Sequence, residues 1–412
     1  MIDIVWLHII NKSIEGRMEF TLNEEQLLIQ KTMQDFARKE IKPLIKELDK
    51  VPEGDVNWGL IGKASDIGLF SGFLPRKYGG GLSGIKACIA SEELAAVDAG
   101  AAVLLTASGL GMAPVAISGD EAIMDKYFPE VAEAEKTGKP IFWAFAITEP
   151  DAGSDVEDKK GSRTARLSTV AKREGGYYII NGRKQFTSVG NIAKYITVFA
   201  TVDKTAGVDA WTCFIVPNDT SGFSVERIEN KMGQRACPTC ALTFDDVRIP
   251  VQNRVGAEGQ GWDLNLQSLA ITRPAVGASG VGCARGAYEI AVKYASERYQ
   301  GGKQIIEHQM VQSMLVDMAT RIEAARLLCY KAASLRPASM KLSAMAKVFG
   351  SDTAVKVCND AVQILGGYGY MQEYDVEKYL RDARVMQIYE GTNQINQIAI
   401  MEGIMDEIGY QY

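Results

Sequence analysis

The segment Tyr177-Tyr178-Ile179-Ile180-Asn181-Gly182-Arg183-Lys184-Gln185-Phe186 lies where the chain changes from helical to strand-like sequence. Aromatic and β-branched residues precede Asn181-Gly182, a dipeptide that is typical of tight hairpin turns. The pattern therefore predicts a strand, a turn and a second strand. Short runs of the same kind follow at 195–201, 211–216, 222–225 and 241–249, so we expect a β domain in the middle of the chain.

The sequence on both sides of this segment has helical periodicity. Thr21-Leu22-Asn23-Glu24 has the form of a capping box, and further helical patterns cover 91–102 and 120–137. After Gly261, long amphipathic runs cover 263–299, 304–335, 338–365 and 376–387, with breaks at Gly301-Gly302, Pro337 and Gly366-Gly367. These patterns predict an α+β multidomain protein. We expect an N-terminal α-helical domain (18–142), a middle antiparallel β domain (143–255) and a C-terminal four-helix-bundle domain (256–412).

The composition excludes several classes of protein. A net charge of −6 argues against a nucleic-acid partner. Apolar runs such as Ala99–Leu105 are shorter than the roughly 20 residues that span a bilayer, so no membrane segment is expected. The first 17 residues lack the features of a signal or transit peptide and are interpreted as a non-targeting extension. Seven scattered cysteines indicate reduced thiols and a cytoplasmic protein.

Few residues in this chain are suited to proton chemistry. The chain has two histidines, His8 and His308, so a carboxylate is the expected acid or base. Glu390 follows a basic helical pattern, stands between a tyrosine and a Gly-Thr pair, and is the best placed. Cys237-Pro-Thr-Cys240 has no second cysteine pair, so we expect no metal site.

Two polar segments could contact a flat heteroaromatic ligand. The loop 148–155 and the end of the predicted hairpin, Phe186-Thr187-Ser188, offer hydroxyl groups and an aromatic face. Taken alone, each also fits an ordinary loop or strand end. No dinucleotide-binding glycine motif, P-loop, nucleophile elbow or HExxH sequence is found.

Several short motifs occur together and in order along the chain. They are 146–150 with 152–155, Asn181-Gly182 with Lys184 and 186–188, 233–235, 272–274, Glu297-Arg298 with 307–309, 363–367, 381–383 and 388–394. Together they resemble the FAD-dependent acyl-CoA dehydrogenase family over about residues 19–404. The helical, β, helical order that periodicity predicts agrees with this resemblance.

The resemblance implies α,β-dehydrogenation of an acyl-CoA thioester to the 2-enoyl-CoA. Glu390 would remove the α-proton while flavin N5 takes the β-hydride. The Glu390 backbone N–H, with a ribityl hydroxyl of FAD, would polarise the thioester carbonyl. Some subfamilies carry the base just before the Arg-Pro pair, but Thr272 occupies that position here and cannot act as a base.

The resemblance also assigns binding residues. Contacts to FAD are implied for Phe145, Thr148, Phe186, Ser188, Arg298, Gln309, Gln363, Gly366, Gly367, Thr392 and Gln394, with Arg298 and Gln309 reaching the FAD of a neighbouring subunit. Positions near the substrate are Ser154, Thr106, Tyr389, Gly391 and Arg273. A homotetramer and electron transfer to an electron-transferring flavoprotein are implied as well. Phe186 stands where the family usually has Trp, and Asp151 replaces a common Gly.

The acyl chain and two alternative functions remain open. The expected pocket floor, 102–111, is small and mostly apolar and has no Arg for a dicarboxylate. Short, medium, branched and alicyclic acyl groups all fit. Asp98 is interpreted as a solvated helix residue, with a role toward ring substrates as the alternative. An acyl-CoA oxidase or flavin monooxygenase of the same fold, and a scaffold without FAD, are the rival functions.

Overall fold

The computed structural model describes residues 21–154 and 167–410. The N-terminal part is helical, as predicted. Its helices are α1 (Glu24–Phe36), α2 (Ile45–Leu48), α3 (Trp58–Asp66), α4 (Ile85–Ala95), α5 (Ala99–Ile117) and α6 (Glu121–Lys136).

The start of α1 lies two residues later than the predicted capping box. Asn23 is the N-cap: its Oδ1 accepts from the backbone N of Gln26 at 2.9 Å, and the Gln26 side chain accepts from the backbone N of Asn23 at 3.0 Å. The expected Thr21 and Glu24 partners are therefore wrong. The asparagine forms the same reciprocal pair of bonds and satisfies two backbone N–H groups at the helix start.

Helix α5 corrects two expectations. The helical pattern at 91–102 is interrupted, because Asp98 caps a new helix by accepting from the Ala101 backbone N at 2.8 Å. The new helix has 19 residues and is apolar enough, by length and composition, to cross a membrane, so the expectation that no segment reaches that length was wrong. More than half of it is buried inside the protein, so it is also a core helix of this fold.

The middle part is a twisted sheet of β1 (Phe142–Ala146), β2 (Val170–Glu174), β3 (Tyr177–Ser188), β4 (Ala193–Thr201), β5 (Trp211–Pro217), β6 (Phe223–Ile228), β7 (Thr239–Pro250) and β8 (Arg254–Val255). The strand order is β6-β7-β3-β2-β4-β5-β8, and β1 pairs with β4. Most pairs are antiparallel, but β1 and β4 are parallel and β2 makes one parallel bridge to β4. The middle β domain is therefore mainly antiparallel, as expected, and the β1–β4 pair and the single β2–β4 bridge are the exceptions.

The predicted turn at Asn181-Gly182 does not form. Strand β3 runs straight through it, and the turn to β2 lies at Gly175-Gly176. Asn181 instead lies at a register shift in the pairing of β3 with β7. Its Oδ1 accepts from the Asp246 backbone N at 2.8 Å, and its Nδ2 donates to Asp246 Oδ1 at 2.9 Å. A Cβ at Gly182 would lie 2.5 Å from Thr169 Oγ1. The dipeptide therefore forms a β-bulge and allows Thr169 to pack closely against the backbone of Gly182. Both features favour the same residue types as a turn.

The C-terminal part contains α7 (Gly261–Glu297), α8 (Gln309–Ser334), α9 (Met340–Leu365), α10 (Val376–Arg384) and α11 (Asn393–Glu407), with a small hairpin of β9 (Tyr299–Gln300) and β10 (Lys303–Gln304). Helices α7 and α9 cross closely, because a Cβ on Gly350 would lie 2.5 Å from the Gly277 carbonyl oxygen. This crossing brings the first half of α7 and the first half of α9 to the loop that holds Glu390.

Candidate active site

Glu390 lies in the loop between α10 and α11. Its φ is +49° and that of Gly391 is +85°. Left-handed backbone is normal for glycine but unfavourable for glutamate, with a cost on the order of 1–3 kcal/mol when the fold imposes it. Such strain persists only where the surroundings determine the conformation.

Two buried cations hold the backbone of this loop. Arg273 of α7 donates from Nε to the Glu390 carbonyl at 3.0 Å, and Lys347 of α9 donates from Nζ to the Gly391 carbonyl at 2.6 Å. Asn396 adds a bond of 2.9 Å to the same Gly391 oxygen. The two cations are at most 1% exposed. Their contacts are the physical reason why the loop keeps its strained conformation.

The side chain of Glu390 meets α7. Its Oε2 lies 3.0 Å from Thr272 Oγ1. The two sequence positions at which the resemblance allows a base are therefore neighbours in space, and a carboxylate stands at 390 with a hydroxyl at 272. Arg273 was expected near the substrate, and it contacts the Glu390 carbonyl and, at 3.1 Å, Met340 Sδ.

Helix α7 passes the site despite an internal proline. Pro274 has no N–H to donate to the Ala270 carbonyl one turn earlier. Ser343 Oγ of α9 takes this place and donates to the Ala270 oxygen at 2.7 Å. The bond fastens the part of α7 that carries Thr272 and Arg273 to α9, which carries Lys347.

Sequence reasoning missed Ser343 and Lys347, although a signal exists. Ser343, Lys347 and Ser351 recur every four residues, on a helix face that also carries Gly350. Because small residues allow close helix packing, a lysine on this face is expected to be buried. A buried ammonium group needs hydrogen-bond acceptors. Lys347 also donates to Asn393 Oδ1 at 2.9 Å, next to Thr392.

A buried ion pair fixes the loop after β1. The Glu149 and Lys184 side chains are both 0% exposed, with Oε1 and Nζ 2.8 Å apart. Burial raises the pKa of Glu149, but Lys184 and the bonds from Ser168 and Thr169 outweigh it, so the pKa lies below its usual value. Lys184 also donates to the Ile147 carbonyl at 2.9 Å. The pair holds Thr148 beside β3, where its carbonyl accepts from the Gln185 N at 2.8 Å.

The flavin positions on the sheet lie at the ends of β1 and β3. Phe145 packs on Phe199 with ring centroids 5.0 Å apart. Phe186 has a φ of +58° and is 60% exposed, an unusual state for a large apolar ring. Within the described residues, the buried Thr187 Oγ1 has no hydrogen-bond partner. An exposed aromatic face beside an unsatisfied hydroxyl fits a flat ring with polar edges.

The predicted substrate positions lie on several parts of the chain, and Ser154 and Thr392 are in direct contact. Ser154 Oγ lies 3.2 Å from Thr392 Oγ1, which also accepts from the Ile395 N at 3.3 Å and caps α11. Thr106 is half-buried on α5, and its hydroxyl donates to the Ala102 carbonyl at 2.8 Å. Tyr389 packs against the main core, and burial raises the pKa of its phenol.

A second group of predicted FAD residues lines a separate cavity of about 680 Å³. Arg298, Gly366 and Gly367 lie on its wall, together with His308 and Tyr368. A Cβ on either glycine would meet nothing within 4 Å, so the backbone there is open to a ligand. Arginine and open backbone suit a diphosphate. Gln309, Gln363 and Gln394 are exposed and do not line this cavity.

Asp98 is buried, which corrects its interpretation as a solvated residue. It is 1% exposed, and its Oδ2 lies 2.8 Å from Lys378 Nζ. Lys378 also pairs with Asp382 at 2.5 Å. Burial lowers the pKa of Lys378, but Asp382 and Asp98 outweigh it and leave the pKa above its usual value. The three charges join α5 to α10 inside the protein, and Asp98 Oδ1 is used in the helix cap.

The Cys237–Cys240 segment lies behind the end of β3. Both thiols are free and buried. Burial raises the pKa of Cys240 to about 11, so it is a neutral thiol at pH 7. Among the residues that the structure describes, no group of three or more His, Cys, Asp or Glu side chains is placed to hold a metal ion.

Comparisons with known proteins cover all three parts of the chain. The family models for the N-terminal, middle and C-terminal domains of acyl-CoA dehydrogenase match residues 23–135, 144–247 and 259–405. The chain is 36% identical over 393 residues to cyclohexane-1-carbonyl-CoA dehydrogenase of Geobacter metallireducens, covering 94% of this chain and 99% of that protein. It is 38% identical over 384 residues to subunit CarC of the caffeyl-CoA reductase-Etf complex of Acetobacterium woodii, covering 92% and 97%.

The solved structures agree. Butyryl-CoA dehydrogenase from Megasphaera elsdenii superposes with a TM-score of 0.86 at 35% identity, over 94% of this chain and 100% of that one. The chain therefore belongs to the acyl-CoA dehydrogenase family, FAD-dependent oxidoreductases that act on acyl-CoA thioesters.

Proposed function

We propose that Glu390 is the base that removes the α-proton of the acyl-CoA. The observation that carries this proposal is the clamped loop. A glutamate in strained backbone is held by Arg273 and Lys347, and its carboxylate faces Thr272. Strained residues that the surrounding structure determines cluster at active sites. A fixed carboxylate loses little entropy when it meets a substrate proton, which favours general-base catalysis.

The chain's own residues would divide the remaining work. Ser154 and Thr392 lie beside each other, two residues after Glu390 in the case of Thr392. They would orient the thioester and pantetheine part of the acyl-CoA. Thr106 on α5 would contact the acyl group. Donation of a hydrogen bond from the Glu390 backbone N–H to the thioester oxygen would make the α-proton more acidic.

FAD fits the residues that are present. Phe145, Thr148, Phe186 and Ser188 would hold the ring system, and Thr392 lies close to Ser154 at the same site. Arg298, Gly366 and Gly367 would hold the diphosphate and adenosine part. When bound, FAD supplies the acceptor for the hydride that leaves the β-carbon.

We also propose a homotetramer in which each FAD is shared by two subunits. The cavity wall with Arg298 contains none of the sheet residues assigned to the flavin ring, as a shared site requires. Large apolar side chains are exposed on the C-terminal helices: Met310, Val316, Ile398, Met401 and Ile408. Exposed apolar surface of this kind is typical of subunit interfaces.

We propose that the physiological electron acceptor is an electron-transferring flavoprotein and that the enzyme works in the cytoplasm without a membrane anchor. The relative CarC, a subunit of a complex with Etf, supports the acceptor. The buried packing of α5 argues against a membrane-spanning role for that helix, and the free cysteines support the location.

An anaerobic screen tests this function. Purified protein is mixed with short, medium, branched and alicyclic acyl-CoAs, and loss of the flavin absorbance is followed in a stopped-flow instrument. Glu390→Gln should retain FAD but bleach at least about 100-fold more slowly, the lower range for loss of a general base. Glu289→Gln, on the exposed side of α7, is the matched control.

Each alternative function would give a different result in this screen. Bleaching by Glu390→Gln at the wild-type rate would show that another group is the base. In air, one peroxide per turnover would indicate an acyl-CoA oxidase, and little peroxide a dehydrogenase. Protein that stays colourless with added FAD would indicate the scaffold.

A further inference from the structure

Two consecutive residues of α7 hold Glu390 in different ways. Arg273 binds the main-chain carbonyl, and Thr272 contacts the side chain. We propose that Thr272 is a positioning residue for the reaction: its hydroxyl holds Oε2 of Glu390 and directs the other carboxylate oxygen, Oε1, to the substrate. The inference rests on the proposed role of Glu390 as the base.

The protons available to the two side chains decide which of them donates the hydrogen bond between Thr272 and Glu390. A threonine hydroxyl has one proton to donate, and an ionised carboxylate can only accept. Thr272 Oγ1 lies 3.0 Å from Glu390 Oε2 and 3.1 Å from the Ser268 carbonyl oxygen. While Glu390 is ionised, the charge-assisted bond to Oε2 is the stronger of the two, so the hydroxyl donates to the carboxylate.

The Thr272 hydroxyl can change its hydrogen-bond acceptor when Glu390 becomes protonated during the reaction. The α C–H bond breaks, an O–H bond forms at Oε1, and the electron pair stays with the substrate. Oε2 then becomes a weaker acceptor, and rotation about one bond turns the hydroxyl proton toward the Ser268 carbonyl. No heavy atom has to move, which keeps the site organised as the proton arrives.

The structure fixes Thr272 well enough for this task. A β-branched side chain in a helix has few χ1 rotamers. The turn of α7 that carries Thr272 is tied to α9 by the Ser343 bond to the Ala270 carbonyl, and the following turn packs closely on α9 at Gly277 and Gly350. The backbone of the Glu390 loop is fixed by Arg273, the next residue of α7, at the Glu390 carbonyl and by Lys347 of α9 at the Gly391 carbonyl. Both ends of the contact are therefore held by buried hydrogen bonds.

Three substitutions test the proposal on the full FAD-loaded enzyme. Thr272→Val keeps the shape and removes the hydroxyl, Thr272→Ser keeps the hydroxyl, and Thr272→Ala is a second hydroxyl-free variant in case Val does not fit. Ser279→Ala is the matched control, because Ser279 on the same helix also bonds back to the carbonyl four residues earlier, that of Ala275, at 3.2 Å.

Two measurements are made on each variant. The first is anaerobic kcat and KM with the best acyl-CoA from the screen. The second is exchange of the α-proton into D2O, followed by mass spectrometry with an acyl-CoA whose β-carbon is replaced by sulfur. That analogue has an α-proton but no β-hydride to lose, so its exchange reports on the base apart from flavin reduction.

We expect Thr272→Val and Thr272→Ala to lower kcat and the exchange rate by about 10-fold, below the full effect of a general base, with KM changed less than about two-fold. Thr272→Ser should recover most of both rates, and Ser279→Ala should match the wild type. A fall in both rates that Thr272→Ser does not reverse would overturn the proposal, because loss of packing would then explain it.

Different results would overturn the role of Thr272 and the role of Glu390. Wild-type rates in Thr272→Val and Thr272→Ala, with Glu390→Gln inactive, would overturn the role of Thr272 and leave Glu390 as the base. A wild-type protein that neither bleaches nor exchanges the α-proton of any acyl-CoA would overturn the proposed function, and this inference with it.

Discussion

At residue 390, a side chain with useful chemistry stands in a backbone conformation that L-amino acids avoid. The local sequence cannot stabilise it, because the groups that hold it come from residues 273, 347 and 396. Their hydrogen bonds to the two consecutive carbonyls offset the local strain. The carboxylate is thereby kept in place before any substrate arrives.

Glu149 is likewise stabilised by a residue that is distant in the sequence. Sequence reasoning treated Glu149 only as part of a loop. Its charge is buried, and Lys184 provides the compensating charge at 2.8 Å. Removal of one partner leaves the other as an uncompensated buried ion, which typically costs 3–5 kcal/mol. The pair is therefore a structural support for Thr148, between β1 and β3.

We predict that Glu149→Gln lowers the free energy of unfolding by about 3–5 kcal/mol at pH 7. The pKa of Glu149 is below its ordinary 4.5 in the folded state. Its contribution to stability is therefore complete above pH 4.5 and is lost as the pH falls through the folded-state pKa. The difference between wild type and variant should shrink below pH 4.5 in chemical denaturation at several pH values.

The control for this prediction is Glu174→Gln. Glu174 pairs with Lys172 at 2.9 Å, but both side chains are more than half exposed. Solvent screens such a pair, so little change in stability is expected. A Glu149→Gln difference that stays constant down to pH 3 would show that the buried charge is not the cause.

At the scale of elements, α7 is the helix that organises the site. It carries Thr272 and Arg273, crosses α9 at glycine contacts and passes a proline without ending. Helix propensity alone would place a break at Pro274. The break is avoided because Ser343, on another helix, donates the hydrogen bond that proline cannot.

We predict that Ser343→Ala destabilises the protein by about 1–3 kcal/mol, because it leaves the buried Ala270 carbonyl without its donor. Pro274→Ala in the same background should recover much of this loss, since an alanine N–H at 274 can bond the Ala270 oxygen. Thermal and chemical unfolding of the two single variants and the double variant form a double-mutant cycle. Purely additive effects would contradict the proposed substitution of one donor for the other.

At the scale of the whole molecule, the predicted FAD residues other than Gln309 and Gln363 fall into two groups on one chain. One group lies at the ends of β1 and β3 and at the start of α11, and the other lines the cavity with Arg298. A ligand that needs both groups can be bound between two subunits. Assembly and cofactor binding would then stabilise each other by mass action.

We predict that two inactive variants complement each other when their subunits are mixed. Arg298→Ala should lose FAD, and Glu390→Gln should lose the base. In a mixed pair, one shared site has both an intact Glu390 and an intact Arg298. Random pairing of equal amounts should therefore recover about a quarter of wild-type activity in a symmetric pair of sites.

The control mixture combines Glu390→Gln with Lys347→Met. Lys347 binds the Glu390 loop of its own subunit, so both defects fall in the same half of the site and no recovery is expected. Absence of recovery in the Arg298→Ala mixture, with mixed oligomers verified by mass spectrometry, would argue for sites within single subunits.

Much of the fold could be predicted from the sequence because its signals are local. Helical and strand periodicity depend on neighbours two to four residues apart, and they indicated the order of helical, β and helical parts. The motifs around Glu390 and Arg298 identified the family before any contact was known. The same local reasoning was wrong at Asn181-Gly182, where a bulge uses the residues of a turn, and at Thr21 and Glu24, where Asn23 and Gln26 form the cap.

Other features depended on tertiary structure, because they arise between residues far apart in the chain. The burial of Asp98 depends on Lys378, the strain at Glu390 on Arg273 and Lys347, and the continuity of α7 on Ser343. A charged or hydroxyl side chain has the same sequence signature whether it faces water or a buried partner. Only the packing of α7 against α9 decides that Arg273 and Lys347 meet at the loop of Glu390, since burial makes each of them require a partner.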